Sequence, residues 1–373
     1  MANKNLNNAK DAKNDEFYTQ YNDIQAELNC YISYNPDVFK DKTILLPCDD
    51  PEWSNFTKFF VKNFNRYGIK KLISTSYAPN SKPKDIPYQL TLFEEESENF
   101  DKEKTYSNGK IFTLERNKNN SEISLDIDAL NWHYLEGDGD FRSDEIKHLR
   151  DEADVIITNP PFSLFREFFD WLIEGGKQFL VIGNLNAVKY RNVFSYIKDN
   201  KVWLGNNCNI NGGAMFYEIP ESIANLEQIR EIKEKSDGTK IYITRVQGVR
   251  WFTNIEHGLR HKRIDLMTEE KNIKFSKHKE IKDIGYVHYN NYDGIDVPFI
   301  DAIPSDYKGA IGVPISIFDK YCPEQFEILG IGTGDHAKLL GITKNYRGRT
   351  DLEYTIDGVK KCPYERVLIK IKG

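Results

Sequence analysis

Residues 154–165, DVIITNPPFSLF, constrain this chain more than any other stretch. Val155, Ile156 and Ile157 form an apolar β-branched run of the kind buried on both faces of a parallel sheet. Asn159 ends that run. Pro160 and Pro161 then stop the strand, because proline has no N–H to give a ladder. Ser163 is the expected N-cap of a helix that carries Phe165, Phe168, Phe169 and Leu172. An Asn, a stiff Pro-Pro and the ring of Phe162 are therefore expected at the carboxyl end of a buried strand, where open α/β sheets place their ligands. Asn-Pro alone is an ordinary turn initiator. The full succession of apolar strand, Asn, Pro-Pro, aromatic and helix is far more specific.

Composition bounds the rest. With 373 residues, 39% hydrophobic and 29% charged, the chain suits a globular protein of about two domains. No apolar run reaches the length of a membrane span. The first sixteen residues, MANKNLNNAKDAKNDE, are polar and lack a signal-peptide core, so a cytoplasmic location is expected. The five cysteines are scattered and show no metal-ligand spacing, which fits reduced thiols and no metal site. The net charge of −6 argues against a protein that simply coats DNA. Charge is uneven, however. Residues 93–103 are acidic, whereas 240–263 hold Lys240, Arg245, Arg250, Arg260, Lys262 and Arg263 against one acid, Glu256.

Along the chain, residues 1 to about 14 read as a mobile polar arm. Residues 15–20, DEFYTQ, open an amphipathic segment with Ile24, Leu28, Tyr31 and Ile32 at helical spacing. Residues 42–51, KTILLPCDDP, read as a buried strand with Asp49 and Asp50 at its carboxyl end, followed by an aromatic-faced helix over 52–64. Carboxylates there can accept hydrogen bonds from an ammonium group and offset a nearby positive charge. An acidic turn that merely favours the helix dipole is the competing explanation. Residues 70–77 form a second expected strand, with no acid at its end for ribose hydroxyls. Residues 80–125 read as a polar insertion with at most a short hairpin. Asp138 and Asp140 flank Gly139, either as a loop carboxylate for a ligand or as a plain Asp-Gly turn.

Strands are expected over 178–182, 201–204 and 215–219, the last two joined by a hairpin-like GNNCNINGG link. Two more follow over 240–244 and 249–252. The alternation predicts a doubly wound α/β sheet over residues 1–258. Residues 259–373 change texture to short strands rich in Gly and aromatics, and a smaller α+β region is expected. It includes HYNNYDGIDVPFIDAIPSDY (288–307), 309–330 and 364–371, and its exposed Tyr, Asn, Lys and Arg residues suit base edges and phosphates as well as an ordinary polar surface.

The NPPF succession resembles the motif of amino-group methyltransferases that use S-adenosylmethionine. DEFYTQ is similar to an FYTP-type element of DNA adenine methyltransferases, with Gln20 in place of the Pro. Taken with LPCDDPEWSNF, NPPFSLFREF, RWFTN and GVPISIFDKYCPEQFEILG in this order, the chain resembles the EcoRI-type adenine-specific DNA methyltransferases. The resemblance covers most of the chain outside 80–125. It implies N6-adenine methylation of double-stranded DNA with S-adenosylmethionine, and residues 259–373 as a DNA target-recognition region. A cognate restriction endonuclease in the same system, without a stable complex, is a possible partner. The resemblance assigns Asn159, Pro160, Pro161 and Phe162 to catalysis. Phe17, Tyr18, Thr19, Asp49, Asp50 and Asp138 become cofactor candidates. Arg245, Arg250, Arg260, Lys262 and Arg263 are the expected DNA contacts. No thiolate nucleophile is expected, since direct transfer to an amine needs none.

Three other readings compete. NPPF-like motifs also serve RNA guanine and protein glutamine methylation. A catalytically silent DNA-binding homologue would keep the fold. A nucleotide- or NAD-binding enzyme on the same sheet is disfavoured by the missing GxGxxG after Leu46 and the missing acid after Ile73.

Overall fold

The computed structural model describes residues 18–51, 54–78, 100–116, 132–207, 214–219, 229–234 and 240–372. The chain divides into two compact units, Met1–Ala187 with Leu204–Glu256, and Val188–Trp203 with His257–Gly373. The second unit thus includes a segment, Val188–Trp203, that a single boundary at 258 leaves in the first.

The first unit is built on four parallel strands, β2 (Thr43–Leu46), β3 (Lys71–Thr75), β6 (Val155–Thr158) and β7 (Gln178–Asn184), in the order β3-β2-β6-β7. Helix α1 (Tyr21–Tyr34) precedes β2, α2 (Asn55–Asn63) joins β2 to β3, α3 (Asp144–Glu152) precedes β6, and α4 (Phe165–Gly175) joins β6 to β7. Both faces of the sheet are covered, which explains why β2 and β6 are buried at every position instead of alternating. On one face Ile44, Leu46, Val155, Ile157, Leu180 and Ile182 pack with Ile24, Leu28 and Tyr31 of α1 and Phe56, Phe59 and Phe60 of α2. On the other, Phe169 of α4 meets Phe179 at 6.1 Å between ring centroids.

The sheet is mixed rather than wholly parallel. Strands β4 (Lys110–Glu115) and β5 (Trp132–Tyr134) extend it antiparallel beyond β3. Strand β12 (Val249–Thr253) extends it antiparallel beyond β7, and the two-residue β8 (Trp203–Leu204) follows at that edge. The reading of 80–125 as an insertion is corrected here: β4 is a sheet strand whose Ile111 and Phe112 are buried. Residues 79–99 and 117–131 lie outside the described set.

A second sheet has the order β1-β9-β11-β10, all antiparallel, from Tyr18–Thr19, Ala214–Ile219, Lys240–Gln247 and Ile229–Glu234. The expected hairpin across 205–213 is therefore wrong, because β8 and β9 belong to different sheets. The entry to that link is held from α1. Glu27, 1% exposed, accepts hydrogen bonds from the backbone N–H groups of Asn206 and Asn207, each at 2.7 Å, and from Tyr31 Oη at 3.1 Å. Burial pushes its carboxyl up to about 7 against those three donors.

The two ends of α4 are closed differently. Its carboxyl end is capped by Gly176 at φ 62°, the left-handed position that favours glycine. Its amino end is not capped by Ser163. A 3₁₀ turn, Phe162–Leu164, intervenes, and the Leu164 N–H donates to the Pro161 carbonyl at 3.0 Å, so the tightened turn satisfies this backbone group internally.

The second unit is α+β. Its sheet has the order β13-β14-β15-β19-β16, from Val287–His288, Gly294–Asp296, Ala310–Pro314, Arg366–Ile371 and Phe326–Ile331. A separate hairpin joins β17 (Tyr354–Ile356) to β18 (Val359–Lys361). Within the sheet Asp296 accepts from Arg366 Nε at 2.8 Å and from Tyr289 Oη at 2.7 Å, all buried. No helix among the described residues is long and apolar enough to cross a membrane.

Candidate active site

In the order β3-β2-β6-β7, chain progression leaves β2 in one direction through α2 and resumes on its other side at β6. The carboxyl ends of β2 and β6 flank this switch point, where α/β sheets hold ligands. Asp49 stands there, 5% exposed. Its Oδ1 accepts from Ser54 Oγ and its Oδ2 from Thr158 Oγ1, both at 2.6 Å. Its backbone N–H donates to the Thr75 carbonyl at 2.9 Å, and its own carbonyl accepts from Ser74 Oγ at 2.6 Å. One residue thus ties together the ends of β2, β3 and β6 and the start of α2. Ser54 also caps α2, accepting from the Phe56 N–H at 3.0 Å.

The motif follows directly. Asn159 is the next residue after Thr158, so the Thr158–Asp49 bond anchors its backbone. Pro160 is buried, while Asn159, Pro161 and Phe162 are half-buried. Phe162 meets Tyr217 of β9 edge-on at 6.4 Å. Tyr217 in turn pairs with Thr19 of β1. The Thr19 carbonyl accepts from Asn55 Nδ2 at 2.8 Å, which brings β1 to the start of α2. The described part of the FYT element, the acidic turn and the NPPF motif therefore converge. Phe17 lies outside the described residues, and of Tyr18 only the backbone is described.

Asp138 reaches the same edge at the end of β3. Its carbonyl accepts from the Ala78 N–H at 2.7 Å, and its Oδ1 from the Asp140 N–H at 3.0 Å. Gly139 (φ 81°) sits so close to the Ser76 carbonyl that a Cβ would lie 2.1 Å from it, so only glycine lets this loop lie on the strand end. The loop thus supplies a carboxylate where β3 itself has none.

Sequence reasoning missed Ser54, Ser74, Thr158 and Tyr217. The Ser54 spacing before the helix was readable, but Tyr217 reaches Phe162 through a second sheet that left no local signal. It also missed Cys48, which lies next to Asp49. Burial, and then the Asp49 carboxyl, push this thiol up, so it stays protonated and is a poor nucleophile.

The basic set separates. Arg250 is 7% exposed, inside β12, where all five positions are buried. Arg260, also 7% exposed, lies over the Trp203 ring at 3.6 Å and hydrogen-bonds Asn200. Both guanidinium groups are thus buried among protein groups, unlike the exposed side chains expected of phosphate contacts. Lys262 and Arg263 are exposed and Arg245 is half-buried.

An Asn-Pro-Pro-Phe turn at the switch point of a mixed α/β sheet, beside an acidic strand-to-helix turn, is the arrangement that the resemblance to amino-group methyltransferases leads one to expect. The family model described as adenine-specific methyltransferase EcoRI matches residues 5–372, and the chain belongs to this family of adenine-specific DNA methyltransferases. It is 37% identical to the Type II methyltransferase M.EcoRI of Escherichia coli over 370 residues, covering 99% of this chain and 97% of that protein. It is 31% identical to the Type II methyltransferase M.MpnI of Mycoplasma pneumoniae, covering 98% of this chain and 97% of that one. The Type II methyltransferase M.MgeORF184P of Mycoplasma genitalium is 32% identical, with 98% of both chains covered. No solved structure matches the chain.

Burial, opposed by the Ser54 and Thr158 hydroxyls, raises the Asp49 carboxyl from 3.8 to about 7. The native state then holds a proton that the unfolded chain has released. This contribution to stability is fully present below the unfolded value and is lost as pH rises through the folded one. Asp49→Asn should remove that part of the pH dependence between about pH 4 and 7. Denaturation midpoints measured across this range would contradict the assignment if both proteins gave the same profile.

Proposed function

We propose that the protein transfers a methyl group from S-adenosylmethionine to N6 of an adenine flipped out of duplex DNA. The observation that carries this reading is the fixed NPPF turn at the switch point, anchored through Thr158 to Asp49. An adenine amine is a weak nucleophile because its lone pair is delocalised into the ring. The Asn159 side-chain oxygen and the Pro160 carbonyl accept its two N–H groups, which favours a more tetrahedral nitrogen. Pro160 and Pro161 hold these acceptors with little freedom left to lose on binding. Phe162 stacks on the base, held in place by Tyr217. An adenine inside a duplex cannot reach this pocket without flipping.

S-adenosylmethionine supplies an electrophilic methyl group on a sulfonium, taken by direct displacement. The residues present fit it. Thr19 Oγ1 is buried and has no hydrogen-bond partner among the described residues, so it suits a polar group of a ligand. Thr19, Asp49 and Asp50, with Phe17 and Tyr18, are assigned to the ammonium end, and Asp138 to the adenosine end. Arg245, Lys262 and Arg263 are assigned to DNA phosphates. As a restriction-modification methylase it would share its system with a cognate endonuclease, without a stable complex; as an orphan modification methylase it would have none.

Purified protein should transfer labelled methyl to adenine N6 in duplex DNA, and Asn159→Ala should lower the rate on the order of 100-fold. Wild-type rates in this variant, or methylation of RNA but not of duplex DNA, would contradict the reading. Thr19→Val should raise the Kd for S-adenosylmethionine about three- to tenfold through one lost hydrogen bond. Its unfolding midpoint should be equal or higher, since a buried hydroxyl without a partner has been replaced by a methyl. Calorimetric titration showing an unchanged Kd would remove Thr19 from the site.

A further inference from the structure

Residues 344–349 of the second unit, KNYRGR, form a turn whose backbone is fixed from inside by buried polar side chains. Asn345 is 7% exposed. Its Oδ1 accepts from the Arg347 N–H at 2.9 Å and the Arg349 N–H at 3.1 Å, while its own N–H donates to the Arg349 carbonyl at 2.8 Å. Glu353, 3% exposed, accepts from the Tyr346 N–H at 2.6 Å and from Asn290 Nδ2 at 2.9 Å. Asn291 Nδ2 brackets the turn, donating to the Thr343 carbonyl at 2.8 Å and the Asp351 carbonyl at 2.9 Å. Asn290 and Asn291, from a stretch whose polar residues suit base edges as well as an ordinary polar surface, are thus the scaffold of this turn.

What the scaffold presents is basic and aromatic. Lys344, Tyr346, Arg347 and Arg349 are all exposed. Arg347 Nε donates to Tyr346 Oη at 2.8 Å, and its guanidinium stands 5.0 Å from the ring centroid. Its orientation is therefore set, while its two terminal amino groups make no hydrogen bond among the described residues. Residues 338–364 hold six Lys and Arg against Asp351, Glu353 and Asp357, in a chain whose net charge is −6. Of these acids Glu353 is buried and paired with Lys360 at 3.1 Å. A rigid turn loses little entropy on binding, and a held planar guanidinium matches the O6 and N7 acceptors of guanine.

We propose that the 344–349 turn reads sequence in the major groove of duplex DNA. Arg347 hydrogen-bonds one guanine edge, and Lys344 and Arg349 hold flanking phosphates. This rests on the DNA methyltransferase reading above and names the element that sets its target. The test begins by sequencing modified adenines in DNA from cells expressing the wild type, which gives the target site. Methylation rates of purified wild type, Arg347→Ala and Arg349→Ala are then compared on that site and on duplexes with each base pair changed singly. Arg347→Ala should lose about tenfold to a hundredfold of discrimination at one G·C pair and keep it elsewhere. Arg349→Ala should weaken binding evenly across sequences and lower the salt slope by about one. If Arg347→Ala discriminates as wild type at every position, or loses rate equally on all duplexes, the turn does not read bases. A wild type that methylates no duplex overturns the functional reading beneath it instead.

Discussion

The Asp49 carboxylate, accepting from Ser54 on one oxygen and Thr158 on the other, is the interaction on which the site depends. It joins the end of β2 to the end of β6 at the point where chain progression reverses. Its backbone groups add β3 through Ser74 and Thr75. A buried carboxyl is costly unless its oxygens are satisfied, and here two hydroxyls satisfy them. The raised carboxyl records how little the surroundings favour charge. A cation arriving beside it would reverse that preference, because an opposite charge in a poorly solvated site stabilises the carboxylate. On the proposed reading, the same residue serves the fold when neutral and suits a sulfonium or ammonium when charged.

Much of this edge was legible in the sequence, and for local reasons. A β-branched run broken by Asn-Pro-Pro can only end a buried strand, and an apolar run ending in two aspartates before an aromatic helix can only be a strand-to-helix turn. What was not legible depends on contacts distant along the chain. Thr19 and Tyr217 are far apart in sequence, and only the second sheet makes them neighbours. Strand β4 was lost in a polar context, although Ile111 and Phe112 are buried against the sheet. The Arg residues of 240–263 were counted along the chain, whereas burial is decided across the sheet. Arg250 sits in a strand buried at every position, and Arg260 is stacked on Trp203.

The second unit shows the same division between pattern and role. Asn290 and Asn291 look like recognition residues because they are polar and grouped in an aromatic context. Their side chains instead satisfy backbone carbonyls and a buried carboxylate, hydrogen bonds that fix the backbone on either side of the turn at 344–349. Side-chain type alone does not separate a group that touches a partner from one that shapes the loop that does.

A crystal structure of the protein with S-adenosylmethionine tests the central claim most directly. The account predicts the cofactor at the carboxyl ends of β2, β3 and β6, its ammonium end against Thr19 and the Asp49–Asp50 turn and its methyl group facing Asn159. The opposite edge offers a clear alternative, a cavity of about 280 Å³ lined by Tyr34, Asp37, Lys42 and Gln178 at the start of β2 and β7. Cofactor density there, or a bound cofactor remote from Asn159, would contradict the account.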